Sequence, residues 1–411
     1  MKFAALGAVA AALVGLAQPQ CFTDNDNFLI KVNTDLSGVT DFGFDLYRRL
    51  DSPSSPKNFF FSPFSIWSAF ILAYLGSAGE TEAQLQRALR VDGKVETFKI
   101  WRALEAMYQT SNNDYTFNIA NRAYIDNVLP IRPCILEMLS NEFERINFRD
   151  VFSAVNRINN FASTNTKGKI NELVTVENIE GIHMAIVNAA YFKGTWQFQF
   201  KPTSTVSERF FVTPQNHQMV PMMNQISAFR FGEFDQVAAS VLELPYTGER
   251  VSMFLFLPAQ EGPQGFANMV TRLSGNNLRA ATHKKNLRKQ DVELKLPKFR
   301  MELKLADEMI PALKDMGIVD IFNSEKVDLS TLGNLRNLTL EKVIHKAFVE
   351  VNEEGTEAAA ATVLTFTLRA SRRDPVVPFH CNRPFLFLIR DNETNNNLFM
   401  GVYRSPDTAR S

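Results

Sequence analysis

The sequence predicts a single α+β domain, with helices gathered near its start and long, mostly antiparallel strands after them. Three observations carry this. The chain has 411 residues, 45% of them hydrophobic, which is enough apolar material for one large core. No repeat, low-complexity tract or Pro/Gly/Ser-rich linker divides it. Helical signals then give way to segments with strand periodicity.

Ser62-Pro63 reads as an N-cap with proline at the first helical position, opening a helix through the apolar Ile66 to Leu75. Glu80 to Val91 is rich in Ala, Leu, Gln and Glu, which favour helix, and Asn160 to Lys167 closes another helix. Tyr115, Phe117, Ile119, Asn121 and Ala123 recur at period two and predict a strand. Met184 to Phe192 is a near-continuous apolar run, as in a strand buried on both faces. Val251 to Leu257, Val292 to Leu296 and Pro384 to Ile389 read the same way.

Lys plus Arg number 44 and Asp plus Glu also 44, so no global charge draws the chain to nucleic acid or an anionic membrane. Met1-Lys2 followed by the apolar Phe3 to Leu16, with Gly15 and Ala17 at the cleavage spacing, predicts a signal peptide over 1–17. Residues 18–411 are then one secreted, extracellular domain, expected as a monomer with no membrane partner. Cys21, Cys134 and Cys381 match no zinc or redox spacing; one bridge plus a free thiol is open, as are three free thiols. In a secreted chain the sequons at Asn337 and Asn392 become N-glycosylation sites. G-x-S-x-G, H-E-x-x-H, Walker and dinucleotide motifs are missing, and the five histidines are scattered. No enzyme activity, metal or cofactor is expected.

Taken alone, Glu353-Glu354-Gly355-Thr356-Glu357-Ala358-Ala359-Ala360-Ala361-Thr362 would pass for a helical turn. The strand-like Val363 to Thr367 after it, and then Leu368-Arg369-Ala370-Ser371-Arg372-Arg373-Asp374-Pro375, read instead as an exposed loop open to proteases. Every second residue from Thr356, namely Thr356, Ala358, Ala360, Thr362, Leu364, Phe366 and Leu368, is uncharged. Such alternation is what a strand entering a sheet needs on its buried face. Gly355 offers backbone freedom at the pivot.

Several further segments complete the pattern. Asn58 to Ile66, Val187 to Trp196, His345 to Asn352, Asn382 to Phe387 and Leu398 to Gly401 resemble, in order, motifs of the serpin family. The resemblance covers about Asn27 to Pro406, and its wording is similar to secreted arthropod and tick members. One departure is that Val402-Tyr403-Arg404 stands where the family usually puts arginine directly after the glycine.

The resemblance implies a single-domain serpin fold with a central, mostly antiparallel sheet, surrounding helices and a reactive-centre loop at about 353–378. It implies a suicide inhibitor of an extracellular trypsin-like serine protease, held as a covalent complex. The hinge is Glu353 to Thr362. The 17 residues from Glu353 to Arg369 place the reactive bond at Arg369-Ala370, with Arg372 or Arg373 as alternative bait. Ser62, Ser65, Asn188 and His345 should lie where the sheet opens, and Trp196 where insertion begins. Lys284, Lys285, Arg288 and Lys289 fall on the helix that a heparin-binding member uses, a site for a heparin-like glycosaminoglycan. The helix around Lys94 to Ala106, with Lys94, Lys99 and Arg102, looks poor for heparin. The alternative function is a non-inhibitory carrier or interaction protein.

Overall fold

The structure, a computed structural model, describes residues 36–109, 115–335, 337–356 and 375–406. It opens with α1 (Ser37–Leu50), the short β1 (Phe59–Phe61), α2 (Pro63–Gly76), α3 (Gly79–Leu89) and α4 (Lys94–Gln109). Then come β2 (Tyr115–Asp126), α5 (Pro133–Met138), β3 (Phe143–Ile146), α6 (Val151–Asn165), α7 (Val176–Ile179) and β4 (Met184–Thr195). The middle holds β5 (Val206–Thr213), β6 (Asn216–Phe234), β7 (Ala239–Pro245), β8 (Val251–Pro258), α8 (Gly262–Arg272) and α9 (Gly275–Thr282). The rest is β9 (Arg288–Pro297), β10 (Phe299–Leu305), α10 (Met309–Asp315), β11 (Lys342–Val351), β12 (Gly355–Thr356), β13 (Val377–His380), β14 (Phe385–Asp391) and β15 (Asn397–Tyr403).

The helix starts follow the sequence closely. Ser62 caps α2 by accepting from Ser65 N at 3.2 Å, with Pro63 at the first position. Every residue of α2 is buried, so it is a core helix without a polar face. The helix expected to Val91 stops at Leu89, because Arg90 turns left-handed at φ 57°. The one ending near Lys167 is α6, which stops at Asn165 ahead of Lys167 at φ 53°.

One sheet has nine strands, ordered β1-β15-β14-β8-β7-β6-β9-β13 with β5 beside β6. The other has six, ordered β10-β11-β12-β4-β2-β3. Most pairs are antiparallel, as expected, but both sheets are mixed: β11 runs parallel to β4 and β2 to β3 in the six-stranded one, and β13 parallel to β9 in the other. The alternation along β4 explains its unbroken apolar run. Met184, Ile186, Ala190 and Phe192 face the main core, where α2 packs against β2, β4 and β15. Ala185, Val187, Ala189 and Tyr191 face a second apolar cluster, covered by Ala154, Ile158 and Ala162 of α6. A strand between two cores must be apolar at both parities.

Arg404, three residues beyond Gly401, reaches back to the end of α1. Its guanidinium grips the Asp51 carboxylate at 3.1 and 2.6 Å, and both side chains are almost fully buried. It also donates to the carbonyls of Lys57 and Ser52. Val402, directly after Gly401, is buried in the ladder between Phe59 and Leu386, a place with no room for a charge. Arg404→Ala leaves Asp51 buried without its counter-charge and should cost roughly 3–5 kcal/mol, read as an earlier first transition in urea. Replacing the pair together, with Asp51→Asn and Arg404→Met, should recover most of that loss.

Candidate functional site

The site is the seam between β4 and β11. Over most of their length the two strands pair directly and in parallel, from Lys342 against Ala185 to Phe348 against Tyr191. Beyond that point they part, and β12 sits between them. It pairs antiparallel with both: Thr356 with Val351 of β11, and Gly355 and Thr356 with Thr195 and Gly194 of β4.

The turn that feeds β12 into the gap is built by Asn352. Its Oδ1 accepts from the amides of Glu354 and Gly355, and its own N–H donates to the Gly355 carbonyl. The structure supplies a reason for glycine at 355 besides the freedom of a pivot. Its φ is not in the left-handed region, but a Cβ there would lie 1.9 Å from the Gly194 carbonyl oxygen. Close approach of two backbones sets the residue.

Trp196 lies where expected, beside the hinge. Its indole N–H donates to the Asn352 carbonyl at 2.9 Å and its backbone N–H to that of Glu354 at 2.8 Å. The ring stacks on Tyr246 at 4.4 Å, and the Tyr246 hydroxyl bonds the buried Thr356 hydroxyl at 2.7 Å. Glu353 accepts from Thr205 at 2.8 Å and pairs with Lys298 at 2.8 Å. Burial pushes its carboxyl up, but the bonds from Lys298 and Thr205 outweigh that and hold it below its ordinary range. A groove of about 440 Å³ opens beside these residues, between Pro202, Lys298, Arg300 and Glu354.

Lower on the seam, the structure brings together the four other residues expected at the opening. Asn188 and His345 are opposite each other in the ladder, and His345 Nδ1 meets Asn188 Oδ1. Ser62 N–H donates to His345 Nε2 at 3.1 Å, and the Ser62 hydroxyl to the Leu398 carbonyl at 2.6 Å. Asn188 Nδ2 reaches Ser65, both its hydroxyl and its carbonyl. Burial pushes the His345 pKa down to about 3, so the ring is neutral at physiological pH. Asn121 belongs to this group and was not singled out from sequence. It sits beside Asn188 across the β2–β4 ladder and accepts from Asn188 Nδ2. The available signal was a lone amide on an otherwise apolar inward face.

The hinge beyond Thr356, from Glu357 to Thr362, lies outside the described residues, as do Arg369, Ala370, Arg372 and Arg373. The cationic run does not lie on a helix. The helix α9 ends at Thr282, Lys284 and Lys285 form a 3-10 turn, and Arg288 and Lys289 begin β9, anchored by the buried Leu287. Lys289 faces Arg230 across the ladder. On α4, Lys94 pairs with Glu82 and Arg102 with Glu142.

Cys134 is disulfide-bonded and Cys381 is a buried free thiol, which matches one bridge plus a free thiol. Among the described residues no cluster of His, Cys, Asp or Glu could hold a metal, and no helix is long and apolar enough to cross a membrane.

The family model for the serpins, described as serine protease inhibitors, matches residues 37–406. The chain belongs to the serpin family. It is 36% identical to leukocyte elastase inhibitor A of Rattus norvegicus over 89% of this chain and 97% of that one. It is 34% identical to serpin B3 of Homo sapiens, over 89% and 98%. Uncleaved ovalbumin superposes with TM-score 0.80 at 27% identity, covering 91% of this chain and all of ovalbumin. Human thyroxine-binding globulin, solved with thyroxine, gives TM-score 0.80 at 26% identity over 90% and 98%.

The two sequons of this serpin differ. Asn337 is exposed in a left-handed turn at φ 61°. Asn392 is half-buried, and its amide nitrogen donates to the Glu249 carbonyl at 2.9 Å and the Ser252 hydroxyl at 2.8 Å. A glycan there would take one of those protons and crowd the turn. Expressed through a eukaryotic secretory route, the protein should carry one N-glycan. Asn337→Gln should abolish the glycosidase-sensitive mass and Asn392→Gln should leave it, as read by intact mass spectrometry; the reverse result refutes the assignment.

Proposed function

We propose that this serpin is a secreted inhibitor that traps an extracellular trypsin-like serine protease by inserting its own loop between β4 and β11. The observation that carries this reading is β12, already antiparallel to both strands at the head of the gap. Serpin loop insertion is a known example of a strain-releasing switch, applied here to this chain's own residues.

Continuing the observed register downward would set Ala358 against Phe192 and Val349, and Ala360 against Ala190 and Ala347. Thr362 would fall between Asn188 and His345. These positions share the parity that faces the main core, so Leu364 and Phe366 would follow into apolar surroundings. Glu357 would take the opposite face, beside Lys193. The sequence thus puts small residues where the gap is narrow and a hydroxyl where the polar contact must be replaced.

In the reaction, the protease's serine oxygen attacks the Arg369 carbonyl and the amine of Ala370 leaves, giving an acyl-enzyme ester at Arg369. Insertion then carries the ester away with the protease before water can cleave it. A guanidinium needs an acid-bottomed specificity pocket, which the small pocket of an elastase lacks. The relatives named as elastase inhibitors therefore support the mechanism more than the target. Secretion is supported by the leader-like Met1 to Ala17 and by the disulfide at Cys134, a bond that persists in oxidising compartments. A heparin-like chain would bind at the exposed cluster of Lys285, Arg288 and Lys289 with Lys284. Heparin retention unchanged after neutralising all four removes that accessory site.

Carrier members exist among the neighbours, and thyroxine-binding globulin holds thyroxine. The uncharged alternation from Thr356 to Leu368 favours inhibition over that reading. Mixed with trypsin, the protein should form a complex that survives boiling in detergent. Arg369→Ala should abolish it, and sequencing of the released fragment should begin at Ala370. Thr362→Arg should turn the protein into a plain substrate, cleaved at the same bond with no complex. Clean cleavage of the unaltered protein would sink the inhibitor reading, while a fragment beginning after Arg372 or Arg373 would move the bait.

A further inference from the structure

The polar contact that closes the seam continues away from it, across α2, to a buried carboxylate on α4. Ser68 of α2 is fully buried, and Asn121 and Glu105 are nearly so. The Ser68 hydroxyl donates to Glu105 Oε1 at 3.0 Å and accepts from Trp101 Nε1 at 2.7 Å and Asn121 Nδ2 at 2.9 Å. One proton and two lone pairs are all a hydroxyl has, so these three bonds exhaust it.

The later bonds run in the same direction, and the Ser65 carbonyl and Ser62 N–H agree with it. With its nitrogen on Ser68, Asn121 offers its oxygen to Asn188 Nδ2. Asn188 then presents its own oxygen to His345 Nδ1, which must carry the ring proton. His345 Nε2 is left to accept the Ser62 N–H. From Ser62 to Glu105 all donors point one way, and the line ends on a negative charge.

We propose that Glu105 is a positioning residue for opening of the central sheet: through Ser68 and Asn121, its carboxylate strengthens the Asn188–His345 contact that holds β4 to β11. This rests on the insertion reading above. A hydrogen bond to a carboxylate is about twice as strong as a neutral one, and bonds in a line polarise one another. Neutralising Glu105 leaves an oxygen that still accepts from Ser68, but removes the charge from the end of the line and weakens each bond along it. The Asn188–His345 contact is weakened with the rest of the line, while the Ser65 carbonyl, which accepts from Asn188 Nδ2 at 3.1 Å, and the Ser62 N–H keep the donor direction unchanged.

The charged groups facing Glu105 are few. Arg102 of α4 lies 3.8 Å from Oε2 and also clasps Glu142, which lies in the turn before β3. From α2 and β2 come Ser68 and Asn121, which do not titrate, and His345 at the far end stays neutral. Burial, and then the Glu142 charge, push the Glu105 pKa up to about 7, against Arg102 and the bonds from Ser68 and Trp101. Its charge therefore changes in an accessible pH range.

Because the folded pKa is raised, the contribution of Glu105 to global stability is greatest below its unfolded value. That contribution is lost as pH rises through about 7. The same ionisation tightens the seam. Sheet opening and global unfolding should thus respond to this charge in opposite senses, which a merely structural side chain would not produce.

The test uses the full-length protein and a fluorescent synthetic peptide with the sequence of Thr356 to Thr367, whose uptake reports sheet opening without any protease. Uptake should slow severalfold from about pH 5.5 to about 8.5, with its inflection near 7. Glu105→Gln should be fast at every pH, yet unfold in no less urea than the unaltered protein at the upper pH. Glu142→Gln keeps Glu105 and should move the inflection to lower pH, a second readout should Glu105→Gln fold poorly. Uptake independent of pH in the unaltered protein, or an inflection that survives Glu105→Gln, overturns the proposal while leaving insertion intact. No uptake at any pH overturns the insertion reading and this inference with it.

Discussion

The parallel contact between β4 and β11 is the constraint on which the rest of this structure depends. Parallel strands bond with slanted, slightly weaker geometry than antiparallel ones. A strand entering between them would replace one parallel pairing with two antiparallel ones, and β12 shows the arrangement at its first two residues. The sheet is thus closed here by a parallel pairing, with antiparallel pairing to both strands begun at the head of the gap. On the proposed insertion reading, such a state persists because a barrier holds it.

On that reading the barrier would have two parts, at different heights on the seam. At the head, Trp196, Tyr246 and Thr356 lock the start of the hinge, while Glu353 is held by Lys298 and Thr205. These contacts keep the entering strand in place at the mouth of the gap. Lower down, Asn188 and His345 keep the next part of the gap shut. The first group determines where entry begins, and the second whether it proceeds.

Much of this was legible in the sequence, and the failures have physical causes. The Ser62 cap, the apolar α2 and the doubly buried β4 are local patterns, and periodicity finds them. The two-residue β12 is too short for any period, and only the alternation beyond it hinted at a strand. Asn121, Ser68 and Glu105 sit on three different elements, and their meeting depends on how α2, α4 and β2 pack, which no local pattern shows. The cationic run was misplaced onto a helix because Lys, Asn and Arg carry little strand signal. The buried Leu287 and the pairing of β9 with β6 override that propensity. The close approach that excludes a side chain at Gly355 is not legible, since a sequence does not show two backbones touching.

A polar latch in so apolar a core has a physical rationale. Hydrophobic contact is non-directional, so an apolar seam would exchange one greasy neighbour for another as a strand slid in, with little barrier between. A hydrogen bond between buried groups must be broken before its replacement arrives, and in the interval both partners are unsatisfied. That interval is the barrier. It raises neither end state by much, because Asn188 and His345 are bonded before insertion and, with Thr362 between them, would be bonded after it. Placing the only polar residues of two facing strand surfaces opposite each other therefore separates the height of the barrier from the depth of the final state, a separation that the proposed loop-inserting trap needs.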